Sequence, residues 1–430
     1  MKMKTVCNWL KFRMVHELTL FSVHRRFVLF VIFTFFVSLS SGDFVRKLTT
    51  SHNPGCEGSI CNAFKVIYIR ADGPNDTIHH LWDFTQKPTI FIAATSISSK
   101  LVISWNQFEE GINKTVMFTE EPVYSFGIVL DKIWEYNDVN DTGLLNRSNT
   151  SKNYVQILHM ENFNWTLPNS PKINDTYRLE LNMEASNYLS ADSISVVRGK
   201  VIVVLTAFGY LDHSELLPHL LHSANCTQVD LVLDDLKTNS TFSNSRYAVD
   251  VLLASNDKAN STAIIDPKKS LDDEHSPGVF TLVDLQTPMA SSGRGGYLQW
   301  RPVAYIAQER DITNSTEINS YGILDVKNHT VELNKTLLYE YYSSSVDNFL
   351  VQSTTLSFGL KEDGFYKKTN FTSWTFMMGY GKPPEEGFSL LVILVISIGL
   401  GLPALLIILS GIIVMVRRIS MKKDDLFLNR

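Results

Sequence analysis

Fourteen Asn-x-Ser/Thr triplets, each with a non-proline middle residue, are crowded between two strongly apolar ends of this chain. Their acceptors are Asn75, Asn113, Asn140, Asn146, Asn149, Asn164, Asn174, Asn225, Asn239, Asn260, Asn314, Asn328, Asn334 and Asn370. With 29 Asn in 430 residues, and Ser or Thr at about one residue in six, chance would place roughly five. An acceptor is useful only on a surface that faces the secretory lumen. The distribution therefore predicts a topology: residues 43–387 are luminal or extracellular and carry a coat of sugar.

Both ends agree with that topology. Arg25 and Arg26 precede an eleven-residue apolar run, Phe27 to Val37, and Ser38 to Gly42 then supply small residues for cleavage. This is the pattern of a signal peptide over 1–42. The run is too short to span a bilayer, which takes about 20 residues. The segment before Arg25 is long for the start of a signal, and Met14 offers an alternative initiator. Phe388 to Val416 is uncharged and long enough to span with some tilt. Gly399, Gly401 and Pro403 near its middle predict a kink. Arg417, Arg418, Lys422 and Lys423 follow it, which places the tail 417–430 in the cytosol. The expected product is a single-pass type I membrane protein.

Charge narrows the function classes. The luminal segment holds 28 basic and 41 acidic side chains. An acidic exterior argues against nucleic acid, which needs a basic face. It suits solubility, or residence in an acidic compartment. Of the cysteines, Cys7 goes with the signal, and Cys56, Cys61 and Cys226 remain. Cys56 and Cys61 could close a small disulfide loop in an oxidising compartment, leaving Cys226 alone or joined to a partner. Spacing does not choose among the pairings. With at most one bridge, a hydrophobic core must hold the fold.

Period-two alternation recurs through the lumen. In Tyr177 to Met183 the apolar residues share one face and Arg178, Glu180 and Asn182 share the other. Leu356–Leu360 and Val229–Leu233 behave similarly. Short β-branched and aromatic runs lie at Val66–Ile69, Thr89–Ala93, Leu101–Trp105, Phe126–Leu130, Val201–Leu205, Val249–Leu253 and Val279–Val283. Turn-rich clusters separate them, which predicts a mainly β, antiparallel, sandwich-type luminal region. It forms one large domain, or two divided near 211–226. A single C-terminal transmembrane helix completes the chain. The best helical pattern in the lumen is Leu211–Leu221, interrupted by Pro218. The polar stretches 135–176 and 255–278 read as loops.

A catalytic or cofactor constellation does not emerge. Nucleophile elbows, paired zinc histidines and phosphate loops are missing from the sequence. His79 and His80 are adjacent, so on a strand they face opposite ways and do not share a metal. Asp272-Asp-Glu-His275 carries side chains of the kind that bind Ca²⁺ or Zn²⁺, but its spacing fits no EF-hand loop and no second ligand cluster accompanies it. It reads as a solvated turn. Trp300, Val303 and Tyr305 are expected in the core. Arg301 is a candidate anchor for a buried carboxylate.

The blocks Ser270-Leu-Asp-Asp-Glu-His-Ser-Pro-Gly-Val-Phe280, Gln299-Trp-Arg-Pro-Val-Ala-Tyr305 and Ser373-Trp-Thr-Phe-Met-Met-Gly379 occur in order ahead of Pro383, Pro384 and the span. Ile69-Arg-Ala-Asp-Gly73, His79-His-Leu-Trp82 and Ser104-Trp105 precede them. Together they resemble the glycosylated lysosomal membrane protein family, over nearly the whole luminal part. The resemblance implies a non-enzymatic accessory subunit without cofactor or metal. Its partner would be a lysosomal major facilitator superfamily transporter that exports dipeptides, shielded from proteases and helped to the lysosome. Gly399 and Pro403, four apart, share a helix face where a partner helix could approach closely; Gly401 lies on another. The longest stretch between acceptors runs from Asn260 to Asn314 and holds both the Asp272–His275 and Trp300–Tyr305 segments; that stretch is the expected luminal contact, and a new acceptor at an exposed position within it, for example in Leu285–Ser292, would test it. One departure lies in the tail. Members of the family end on a Tyr-based sorting signal, whereas 417–430 has no Tyr, and Asp424-Asp-Leu-Phe-Leu428 matches an acidic leucine signal imperfectly. A cell-surface adhesion or receptor-like ectodomain is the competing reading.

Overall fold

The structure, a computed structural model, describes residues 45–108, 114–167, 172–188, 198–237, 239, 241–269, 278–385 and 390–428. The signal segment 1–42, Asn113 and the Asp272–His275 cluster lie outside the described residues.

Strands dominate. The front sheet is antiparallel and runs in the order Lys47–His52, Val66–Asp72, Thr77–Asp83, Thr89–Thr95, Tyr124–Asn137, Ser245–Lys258, Phe349–Phe358 and Ser315–Asp325. The back sheet runs Arg178–Tyr188, Arg198–Phe208, Cys226–Lys237, Phe371–Tyr380, Gly296–Trp300, Thr281–Gln286 and Ile264–Lys269. Val303–Tyr305 pairs with both Phe371–Tyr380 and Ser315–Asp325, so hydrogen bonding is continuous from one sheet to the other at that corner.

Alternation decides what each sheet buries. Ile78 and Trp82 of one strand, with Ile90 and Ile92 of the next, face the interior between the sheets. Leu181, Val203, Leu231 and Trp374 meet them from the back sheet. On the opposite face of the front sheet, Leu81, Phe91 and Leu252 pack under a cap built from Trp105, Phe108, Leu337, Leu338 and Tyr342. The front sheet is thus buried on both faces, which is why its central strands read as nearly continuous apolar runs rather than clean alternation. A third, smaller cluster on the outer face of the back sheet joins Phe208, Leu220, Cys226, Tyr297 and Met377.

Three local expectations change. Leu211–Leu221 is not a helix. It forms the two-residue strands Asp212–His213 and Leu221–His222, with Leu220 driven into the cluster beside Phe208. Pro218 denies the helix a backbone donor, and burial of one leucine outweighs the weak helical pattern. The stretch 135–176 is more than loop. Val155–His159 extends the front sheet, and Phe163–Thr166 and Lys172–Asp175 extend the back one. Phe163 and Trp165 are the buried anchors there, hidden in sequence among polar neighbours. Within 255–278, Ile264–Lys269 is an edge strand, with Pro267 and two lysines that discourage further pairing.

Candidate interaction surfaces

The apolar C-terminal helix is a candidate span over Val392–Ile419. Leu390–Ile396 is α-helical, Ser397–Gly401 widens into a π turn, and Leu402–Leu428 resumes the α-helix. Pro403 explains the widening. It lacks the N–H that would bond the carbonyl four residues earlier, at Gly399, and a wider turn relieves the mismatch. Gly399, Gly401 and Pro403 are all exposed on this helix, and a Cβ placed on either glycine would meet nothing within 4 Å. The kink anticipated from sequence thus takes the form of a π turn with a low surface beside it.

The β fold is fastened just ahead of the candidate span. Phe371–Tyr380 ends against Gly296, and the Gly381 N–H donates to the Gly295 carbonyl at 2.8 Å. The chain then lies against the back sheet. Pro383 is buried, and Gln299 Nε2 donates to the Pro384 carbonyl at 3.3 Å and to Asp284 Oδ1 at 2.9 Å. Lys268 Nζ donates to Asp284 Oδ2 at 2.8 Å, and Lys382 pairs with Glu385 at 2.8 Å. The strand group from Ile264 to Trp300 therefore holds the segment that leads into the candidate span, with Glu385 only seven residues before Val392. An extended chain covers about 3.4 Å per residue, so this link spans at most about 24 Å.

Leu285–Ser292, the part of the expected contact stretch suited to a test acceptor, belongs to that same group. Leu285 is buried between the sheets. Thr287 is locked by Tyr124 at 2.6 Å and caps the Gly296 N–H at 2.9 Å. The short turn Pro288–Ser292 then presents Met289, Ser291 and Ser292 to solvent.

No acceptor Asn with a described side chain is buried. Asn75, Asn140, Asn146, Asn164, Asn260, Asn328 and Asn334 are exposed, and Asn149, Asn225, Asn239, Asn314 and Asn370 are half-buried. Asn174 lies in the strand Lys172–Asp175. Asn225 has a second occupation, because its Oδ1 accepts from Arg46 Nε at 2.8 Å. Cys56 and Cys61 are joined, with Cα atoms 5.8 Å apart. Cys226 is a free thiol, fully buried, and burial pushes its pKa up to about 12, so it is inert in this fold.

The buried ionisable groups serve the scaffold. His79 shares hydrogen bonds with Tyr68 at 2.7 Å and Thr95 at 2.8 Å on the cap side of the front sheet. His80 shares one with Thr227 at 2.9 Å in the interior between the sheets. The two rings face opposite ways, as strand geometry requires. Burial lowers both to about 3, and His222 to about 4. Arg310 forks onto both oxygens of Asp230, at 2.7 and 2.6 Å. Lys87 pairs with Asp131 at 2.7 Å. Trp300, Val303 and Tyr305 are core residues. Arg301 is buried and donates to the Val279 carbonyl. Sequence reading missed Arg46, Arg246 and Arg310 altogether. Their carboxylate partners lie 30 or more residues away, Asp76 for Arg46, Asp230 for Arg310 and Asp138, Asp141 and Asp363 for Arg246, so no local pattern could have marked them.

The protein-family model described as glycosylated lysosomal membrane protein matches residues 65–421, from the second front-sheet strand through the span. The chain belongs to the glycosylated lysosomal membrane protein family. Curated members are similar over most of their length. Glycosylated lysosomal membrane protein B of Xenopus laevis is 29% identical over 377 residues, covering 86% of this chain and 89% of its own. The Danio rerio member is 29% identical over 392 residues, covering 88% and 91%. The Homo sapiens member is 23% identical over 380 residues, covering 87% and 88%. A lysosomal membrane glycoprotein of this family is expected to carry a membrane span, and the candidate helix at Val392–Ile419 lies wholly inside the matched region.

Proposed function

We propose that this chain is a non-enzymatic accessory subunit. It stabilises a lysosomal major facilitator superfamily transporter of dipeptides, shields it from proteolysis and supports its place in the lysosomal membrane. The N-terminal region faces the lumen, and the tail faces the cytosol. Membership of the family supports the compartment. The observation that carries the partner reading is the coupling of two surfaces. A helix with small residues at its widened turn lies seven residues from a luminal strand group that has no acceptor between Asn260 and Asn314. One polytopic partner in the same membrane can engage both, and the short link makes the second contact nearly intramolecular. Sugars elsewhere on the fold would then form the outer, protease-resistant face.

The test adds a sugar where the partner should sit. Met289→Asn creates the acceptor triplet with Ala290 and Ser291 on an exposed turn. The modified chain is expected to fold and reach lysosomes, but to lose the transporter on gentle purification. Retention of the transporter by the fully modified variant would reject this luminal contact. A co-purifying adhesion ligand on the cell surface would favour the receptor-like alternative.

A further inference from the structure

The helix at the candidate span carries a backbone group that its own chain cannot serve. In an α-helix each N–H bonds the carbonyl four residues back, and in a π turn the carbonyl five back. Pro403 has no N–H. In the α register the carbonyl left without a donor is that of Gly399, and in the π register of Ser397–Gly401 it is that of Ile398. Widening therefore moves the unserved carbonyl by one residue and supplies no donor for it. A Ser or Thr three or four residues further on could donate from its hydroxyl, but those positions hold Gly401, Leu402 and Pro403. A side-chain bond of that kind does occur elsewhere in the helix, where Ser410 Oγ donates to the Ile407 carbonyl at 2.8 Å.

The turn is open, and it is deep in the span. Ile398, Gly399, Leu400 and Gly401 are exposed along this helix, and neither glycine has a Cβ to cover the neighbouring carbonyls. The uncharged run Phe388–Val416 is centred on Leu402, so at 1.5 Å per residue Ile398 lies about 6 Å from its middle. In a hydrocarbon layer about 30 Å thick, that depth excludes bulk water, and lipid tails offer no donor. A bare carbonyl there is costly unless another chain donates to it. Small residues alone would mark only a place where a helix can come close; the unserved acceptor states what that helix must carry. We propose that the carbonyl at this turn accepts a hydrogen bond from a hydroxyl or carboxamide side chain on a membrane helix of the transporter. This rests on the accessory-subunit reading above and names the chemistry of its contact within the membrane. A second copy of this span is the weaker donor. Its nearest hydroxyl, on Ser397, has carbonyls of its own helix three and four residues back, at Leu394 and Ile393.

An isosteric pair of variants in the full-length chain tests it. Leu402→Thr places a hydroxyl within reach of both candidate carbonyls from inside the helix, whereas Leu402→Val has nearly the same shape without the hydroxyl. Pro403→Ala restores the missing N–H. Each is expressed in cells that lack the native chain. The readout is recovery, after gentle purification, of the transporter whose half-life depends on that chain. Leu402→Val should recover as much transporter as the native chain. Leu402→Thr and Pro403→Ala should recover roughly three- to ten-fold less, the strength of one hydrogen bond between membrane helices. Equal recovery from Leu402→Thr and Leu402→Val would overturn the proposal. So would a cross-linked dimer of this chain that Leu402→Thr abolishes while transporter recovery holds, because the acceptor would then serve a second copy. Failure of the native chain to retain any transporter is a different result: it rejects the accessory-subunit reading, and this assignment of the donor with it.

Discussion

His79 and His80 are neighbours in sequence but occupy different interiors, and their chemistry bears on life in an acidic compartment. Desolvation is the main reason each is lowered to about 3; Arg70 adds to it at His79 and Arg46 at His80. An exposed histidine titrates near 6.5. Between about pH 6.5 and 3 the unfolded chain therefore binds protons that the folded chain refuses. Stability from these groups is fully present above pH 6.5 and is lost as pH falls. At pH 5 the loss is about 2 kcal/mol for each such histidine, at about 1.4 kcal/mol per pH unit. His79→Gln, which can still hydrogen-bond, should flatten the fall in stability between pH 6.5 and 4.5 by close to one proton. Urea unfolding at several pH values measures this slope; an unchanged slope would show that His79 charges in the native state. The opposite orientation of the two rings was legible from alternation alone. Their partners were not, because Thr227 is 147 residues from His80 and only the assembled sheets bring them together. The pairing of Arg246 was hidden for the same reason, with Asp363 lying 117 residues away.

At the scale of elements, each apolar run singled out in the sequence lies wholly or mostly within a strand, because β-branched and aromatic residues between turn clusters leave few alternatives. Boundaries moved where packing intervened. Leu356–Leu360 ends as a strand at Phe358, since Gly359 adopts a φ of 112° that other residues avoid. Phe163–Thr166 was invisible among acceptor triplets because only two of its side chains point inward. The span was legible from length and composition, and its kink from Pro403, but the π turn at Ser397–Gly401 was not. That turn carries a prediction. Gly399→Leu adds bulk where a partner helix should approach, at no contact cost within this chain. The variant should be made and glycosylated normally, yet recover several-fold less transporter on purification. Equal recovery from Gly399→Leu and the native chain would move the membrane contact to another face of the helix.

At the largest scale, the described residues form a two-sheet β-sandwich with a capped front face, fastened by Gly381–Glu385 ahead of one candidate span. Fold class and family were readable in advance, because alternation, acceptor spacing and the block set each extend over most of the chain. The partner was not readable from geometry. It enters through what the family resemblance implies, and the structure supplies surfaces on which it can be tested. In the proposed role, a sugar-coated ectodomain held within about 24 Å of the bilayer acts as a shield for something in the same membrane. The most direct measurement is therefore the half-life of lysosomal transporters in cells that lack this protein. The account predicts that one major facilitator superfamily transporter turns over several-fold faster in those cells. Its half-life should recover with the native chain, and also when lysosomal proteases are inhibited. Normal half-lives for all lysosomal transporters in the absence of this chain would contradict it.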